Sequence, residues 1–220
     1  MNEKFSSLGY RFSSYGEERA PILILHHADD QEDYSSYENY FADHHILFIE
    51  IQGNKWERDF SPFPAPKVFH GGKDFPGGAS DYLTRFVSKV VPYLIKHCSI
   101  TPDRIVLSGY SLAGLFALYA SQNALFTDIL SASGSLWFPE YMDYLRIQKV
   151  YARNIYLSIG DRESRSRSEI LRTAFKKQRE AYKILSSRNK NVTFFLEKGG
   201  HFDASEKRVM RGVEWLVAQK

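Results

Sequence analysis

The sequence predicts an α/β protein with a mainly parallel central sheet and helices on both faces. Three observations carry that expectation. Short apolar runs recur along the chain at 21–25, 45–51, 104–108, 129–133, 154–159 and 192–196, each the length of a buried strand. Stretches with apolar residues at helical spacing lie among them, at 79–97, 111–123, 168–187 and 204–218. Strands that alternate with helices pair in parallel through crossover connections.

The elements follow in chain order. Residues 7–13 read as a short edge strand. Pro21-Ile22-Leu23-Ile24-Leu25 is a compact run that fits a buried strand, and His45-Ile46-Leu47-Phe48-Ile49-Glu50-Ile51 is a second. Residues 52–78, rich in Gly, Pro and aromatics, read as one long loop, and long loops in compact domains often carry function. Leu83, Phe86, Val87, Val90, Val91 and Leu94 define an apolar helix face, which Pro92 is expected to bend or break. Thr101-Pro102-Asp103 is a turn into the strand Arg104–Ser108, and a helix should run from near Ser111 to Asn123. No internal repeat or low-complexity segment interrupts the pattern.

The chain has 220 residues, which suits a single domain spanning 1–220. Hydrophobic residues make up 43% and charged residues 25%, the balance of a globular protein. A net charge of +3 is too weak to suggest nucleic acid as a partner without a basic motif. One cysteine, Cys98, cannot form an internal disulfide, so a disulfide-stapled secreted fold is not expected. The polar N-terminal stretch has no apolar signal core, and no run approaches a membrane span. The expectation is a cytoplasmic protein that binds neither nucleic acid nor membrane, with a homodimer left open.

The strongest local signal is Leu107-Ser108-Gly109-Tyr110-Ser111-Leu112-Ala113-Gly114-Leu115. An apolar strand leads in and a helix-forming run leads out. In that setting a G-x-S-x-G pattern is a nucleophile elbow, in which a tight strand-to-helix turn exposes the serine. Here the second small residue is Ala113, giving G-x-S-x-A-G. The helix N-terminus would stabilise an oxyanion formed at Ser111. An ordinary serine helix cap is the bland alternative. In the α/β-hydrolase fold the chain order is nucleophile, acid, histidine. Of the histidines at 26, 27, 44, 45, 70, 97 and 201, only His201 follows Ser111. The acid should follow the strand Asn154–Gly160, where Glu163 is preferred and Asp161 is the alternative. The oxyanion donors should be the Leu112 N–H and one from the loop at His27 or Ala28.

Other motifs carry less. His26-His27-Ala28-Asp29-Asp30-Gln31-Glu32-Asp33 is dense in metal-ligating types. Adjacent strand histidines point to opposite faces, however, so no metal site is expected. The glycine-rich stretch from His70 to Gly78 lacks the ending of a phosphate loop and reads as a flexible loop near the site. The basic run Lys176-Lys177-Gln178-Arg179 reads as a solvated helix face. No cofactor is expected.

Several segments together resemble a known family. These are Gly78-Ala79-Ser80-Asp81-Tyr82-Leu83, Val91-Pro92-Tyr93-Leu94, Thr101-Pro102-Asp103-Arg104, the Gly109–Ala117 elbow, Ser133-Gly134-Ser135-Leu136-Trp137-Phe138, Gly160-Asp161-Arg162-Glu163 and Gly200-His201. They are similar to the Putative esterase family of α/β hydrolases, which includes enterochelin (ferric siderophore) esterases and the esterase D type. The resemblance spans roughly residues 20–218. Relatives usually show a His-Gly-Gly type stretch where this chain has His26-His27-Ala28. The resemblance implies hydrolysis of a small-molecule carboxylic ester by a serine, histidine and acid through an acyl-enzyme, with a siderophore-type or small acyl ester as substrate. An acyltransferase on the same triad, or a non-catalytic binding protein that keeps the fold, are the alternatives. Trp56, Tyr110 and Trp137 are candidate pocket residues. The aromatics of the 52–78 loop either shape that pocket or pack the loop onto the core.

Overall fold

The computed structural model describes every residue except Met1, Phe69, Asn189 and Lys220. Strands β1 (Asn2–Ser7) and β2 (Tyr10–Gly16) form an antiparallel hairpin. Strands β3 (Ile22–His27) and β4 (Ile46–Gln52) follow, then a separate small hairpin of β5 (Pro64–Ala65) and β6 (Phe75–Pro76). The last four are β7 (Arg104–Tyr110), β8 (Asp128–Ala132), β9 (Asn154–Gly160) and β10 (Asn191–Glu197). Eight of them make one sheet in the order β1-β2-β4-β3-β7-β8-β9-β10. All pairs from β4 to β10 are parallel, and only the β1–β2 and β2–β4 pairs are antiparallel.

The helices are α1 (Glu38–Asp43), α2 (Trp56–Asp59), α3 (Ala79–Arg85), α4 (Val91–His97), α5 (Ser111–Ala120), α6 (Tyr141–Ile147), α7 (Glu169–Arg172), α8 (Ala174–Ser186) and α9 (Ser205–Val217). Two cores result, one on each face of the sheet. On one face Tyr34 and Phe41 join Val209, Val213 and Leu216 of α9 over Ile24, Phe48 and Val106. On the other, α3, α4, α5 and α6 pack over Leu25, Leu107 and Ile129. Strands β3 and β4 are covered on both sides, which is why their sequences are continuous apolar runs rather than alternating ones. Residues 112–120 of α5 are all buried, as expected of a helix that is apolar all round.

Three expectations change in detail. The strand expected at 7–13 is two strands, because Leu8 and Gly9 both take positive φ (54° and 84°) and close a two-residue turn. Leucine rarely adopts that conformation, so the turn was hidden. The helix expected over 79–97 does run the whole span, but Phe86–Val90 form a π turn between α3 and α4. That wider turn sits just before Pro92 and absorbs its missing N–H, so the helix does not end there. The long loop at 52–78 holds α2 and the β5–β6 hairpin, tied together by Ser61, which donates to Glu57 O at 2.6 Å and accepts from the Gly77 N–H at 2.9 Å.

Candidate active site

The site begins where β7 hands over to α5. Ser111 has φ of +57°, an uncommon conformation for a residue with a side chain, held by the strand on one side and the helix on the other. The turn is possible because Gly109 is bare. A Cβ there would stand 2.5 Å from the Ala113 carbonyl oxygen. Leu112 follows in the first helical turn, where its N–H has no intrahelical acceptor.

Two loops bring their side chains to this serine. His201 Nε2 lies 2.9 Å from Ser111 Oγ. His201 Nδ1 lies 2.7 Å from Glu163 Oε2. Glu163 is on the turn after β9, and its second oxygen accepts from the Gly160 N–H at 2.7 Å, the Ser133 hydroxyl at 2.8 Å and Arg208 Nη1 at 2.6 Å. Burial pushes the carboxyl up, but the His201 ring, the Gly160 N–H and the Ser133 hydroxyl outweigh it and hold it below its ordinary value. An ionised Glu163 accepts the Nδ1–H, which leaves Nε2 as the acceptor for the serine proton.

Asp161 does something else. Its Oδ1 accepts the Gly199 N–H at 2.9 Å, so it ties the turn after β9 to the histidine loop without touching His201. Arg162 pairs with Asp203 at 3.1 Å, and Asp203 also accepts the Gly200 N–H at 2.7 Å.

The oxyanion loop departs from expectation. The Ala28 N–H donates to Ile51 O at 3.1 Å, so it is committed to the sheet and not offered to Ser111. His27 lies in the ladder beside Ile51 and Gly109. Its ring is turned into the core, Nε2 2.7 Å from the Tyr82 hydroxyl. Burial, with a contribution from His26, holds His27 well below the ordinary histidine range, so it is uncharged. His26 points to the other face, Nδ1 2.8 Å from Ser108 Oγ and Nε2 3.4 Å from Glu32. Among the described residues no group of three or more His, Cys, Asp or Glu is arranged to hold a metal ion.

Ser111, Glu163 and His201 open into a cleft of about 530 Å³. Trp56 and Trp137 both line it, with Phe75 and Phe202. Tyr110 does not: its side chain lies on the opposite side of the elbow, where its hydroxyl donates to His201 O at 2.6 Å. The strand-to-helix turn reverses direction between 110 and 111, which is why adjacent residues part. Lys67, Lys73, Arg162 and Arg165 stand on the cleft wall with the carboxylates of Glu57 and Glu163, and Arg162 is paired with Asp203. Ser135 is a further lining residue, its hydroxyl 3.5 Å from Ser111 Oγ and its N–H 2.9 Å from Ser111 O.

Sequence reasoning missed Arg208, whose side chain is only 2% exposed. A signal was available. Residues 208, 209, 212, 213 and 216 form the inward stripe of α9, and an arginine on an apolar stripe asks for a buried partner.

Comparison with known proteins gives the family and the fold. The Putative esterase family model matches residues 12–204. Uncharacterized protein YbbA of Bacillus subtilis (strain 168) is 25% identical over 185 residues, 79% of this chain and 74% of that one. The crystal structure of an IroE-like serine hydrolase from Shewanella oneidensis superposes with a TM-score of 0.75 at 17% identity, over 99% of this chain and 79% of the other. The siderophore hydrolase EstA from Aspergillus nidulans gives 0.69 at 19% identity, over 99% and 93%.

Proposed function

We propose, from the premise that this chain belongs to the Putative esterase family and is a carboxylic-ester hydrolase, that it works through an acyl-enzyme on Ser111. In this reading Ser111 Oγ attacks the ester carbonyl while His201 Nε2 takes its proton. Glu163 stabilises the resulting imidazolium and fixes its orientation. The tetrahedral oxyanion forms beside the N-terminus of α5 and takes a hydrogen bond from the Leu112 N–H. His201 then protonates the leaving alcohol, and a water repeats the sequence to release the acid. The observation that carries the reading is the continuous pair of contacts, 2.9 Å from Ser111 to His201 and 2.7 Å from His201 to Glu163.

The cleft supports a substrate with a flat apolar body and a negative charge. Trp56, Phe75, Trp137 and Phe202 offer ring faces, and Lys67, Lys73 and Arg165 add positive charge beside them, Arg162 being paired with Asp203. The similar EstA is a siderophore hydrolase, and siderophore hydrolysis is one chemistry of that kind. The test is a pair of activated p-nitrophenyl esters of equal size, one ending in a carboxylate and one in its methyl ester. Both should be cleaved, the anionic one with the higher kcat/KM at low salt, and Ser111→Ala should cleave neither. A folded wild-type protein that leaves both intact would refute the esterase mechanism. Equal kcat/KM values that do not change with salt would refute the charge preference alone.

A further inference from the structure

A buried cation stands behind the acid. The Arg208 side chain is 2% exposed and that of Glu163 is 6% exposed. Burying a guanidinium is costly unless its donors are used and its charge is met. Here both conditions hold. Nη1 donates to Glu163 Oε1 at 2.6 Å, to Ser133 Oγ at 2.8 Å and to the Tyr110 hydroxyl at 3.1 Å. Nη2 donates to Gly200 O at 2.7 Å and Lys198 O at 3.3 Å. One side chain thus touches the acid, the loop that carries His201, the turn after β8 and the residue before Ser111. Gly160 packs closely here: a Cβ on it would stand 2.4 Å from the Gly199 backbone oxygen and 2.8 Å from Arg208 Nη2.

The two oxygens of Glu163 are therefore divided. Oε2 serves His201 and Oε1 serves Arg208. When His201 is uncharged, Arg208 balances the carboxylate and the buried unit is neutral. Without Arg208 the carboxylate would be balanced only when a proton sits on the Glu163–His201 pair. That protonated form cannot accept the serine proton. We propose that Arg208 is a positioning residue of the hydrolysis, one that keeps the Glu163–His201 pair free of a proton and locks the Lys198–His201 loop against Ser111. This rests on the triad reading given above.

Asp161, whose carboxylate holds the Gly199 N–H on the histidine loop, adds negative charge near the pair, and the remaining charged and titratable groups leave the balance to Arg208. Tyr110, from the end of β7, is pushed up to about 12, mainly by burial, and stays neutral. Arg162 and Asp203 neutralise one another. Arg165 and Glu57 lie on the cleft wall. On the far side, Glu32 faces His26 and Tyr34, and Glu206 accepts from the Asp33 N–H. Ser133 and Ser111 carry no charge.

The test is the pH profile of kcat/KM for a p-nitrophenyl ester with wild type, Arg208→Met and Arg208→Lys. With Arg208→Met the acid limb should move to higher pH by about one to two units, as loss of a cation several ångströms away demands, and the plateau should fall. KM should change little, because Arg208 does not line the cleft. Arg208→Lys keeps the charge, so its acid limb should return to the wild-type position. A single ammonium cannot span Glu163 and Gly200 O, so its kcat should stay about tenfold or more below wild type. An unmoved acid limb in Arg208→Met, with only a lower plateau, would overturn the proposal and leave Arg208 as structural support. If Arg208→Met does not fold, Arg208→Lys decides: wild-type kcat, or a limb displaced upward despite the retained charge, would overturn it. Fluorophosphonate labelling of wild-type Ser111 is measured alongside. A wild type that is neither labelled nor active would instead count against the triad itself.

Discussion

Glu163 and Asp161 stand two residues apart on the same turn, and their carboxylates have different partners. Glu163 meets the His201 ring, whereas Asp161 meets the Gly199 backbone. Glu163→Gln should therefore lower kcat by about 10²–10⁴-fold, since an amide neither stabilises the imidazolium nor fixes the tautomer. Asp161→Asn should keep kcat within about tenfold of wild type and cost about 1 kcal/mol in urea unfolding, the worth of one hydrogen bond. The reverse ranking would make Asp161 the acid. At this scale much was readable. The elbow marks Ser111, and only one histidine follows it. Choosing between two nearby carboxylates needed the reach of one extra methylene and the course of a turn, which a sequence states only weakly. Arg208 was hidden because the side chains it meets, Glu163, Ser133 and Tyr110, are 45, 75 and 98 positions away and its role exists only once β7, β9 and α9 converge. Of the two loop positions expected to offer an oxyanion donor, His27 and Ala28, Ala28 is taken up elsewhere for a related reason. Its N–H already serves the β3–β4 ladder, a commitment that depends on where the strand ends.

At the scale of elements, β7, the elbow and α5 act as one unit. Gly109→Ala places a methyl against the Ala113 carbonyl, and backbone cannot yield as a flexible side chain can. The expected cost is about 1–3 kcal/mol or more, read as a lower urea midpoint, with activity falling further as Ser111 is displaced. Unchanged stability and turnover would mean that the elbow relaxes more freely than this packing implies. The apolar strands and long helices were legible because burial on both faces leaves no polar positions to blur the pattern. The short α1, α2 and α6 were not, since four to seven residues give too few turns to show a period. The basic run on α8 was expected to be a solvated face, and Lys176 and Arg179 are exposed; Gln178, between them, is fully buried and donates to Gly134 O at 2.7 Å.

At the scale of the whole molecule, two buried carboxylates should pull stability in opposite directions with pH. Burial raises Glu50, with Tyr34 N–H and His26 opposing it. A folded value above the unfolded one gives stability that is full at low pH and lost as pH rises through the folded value. Glu50→Gln mimics the protonated form, so its Tm relative to wild type should climb between about pH 4 and 7. Glu163 is held low, so its contribution is full above the ordinary carboxylate range and lost as pH falls through the folded value. Relative to wild type, Glu163→Gln should thus lose Tm as pH rises up to the ordinary carboxylate range, and hold a constant deficit above it. Parallel trends for the two variants would contradict both assignments. The strand order β1-β2-β4-β3-β7-β8-β9-β10 sets Ser111 at the centre of the sheet, with Glu163 and His201 arriving from the turns after β9 and β10. That convergence is the central claim, and intact-mass analysis after reaction with a fluorophosphonate tests it most directly. Wild type should gain one adduct, mapped to Ser111, that His201→Ala slows severely and Ser111→Ala abolishes. An adduct on another residue, or none on a folded wild-type protein that still cleaves esters, would contradict it.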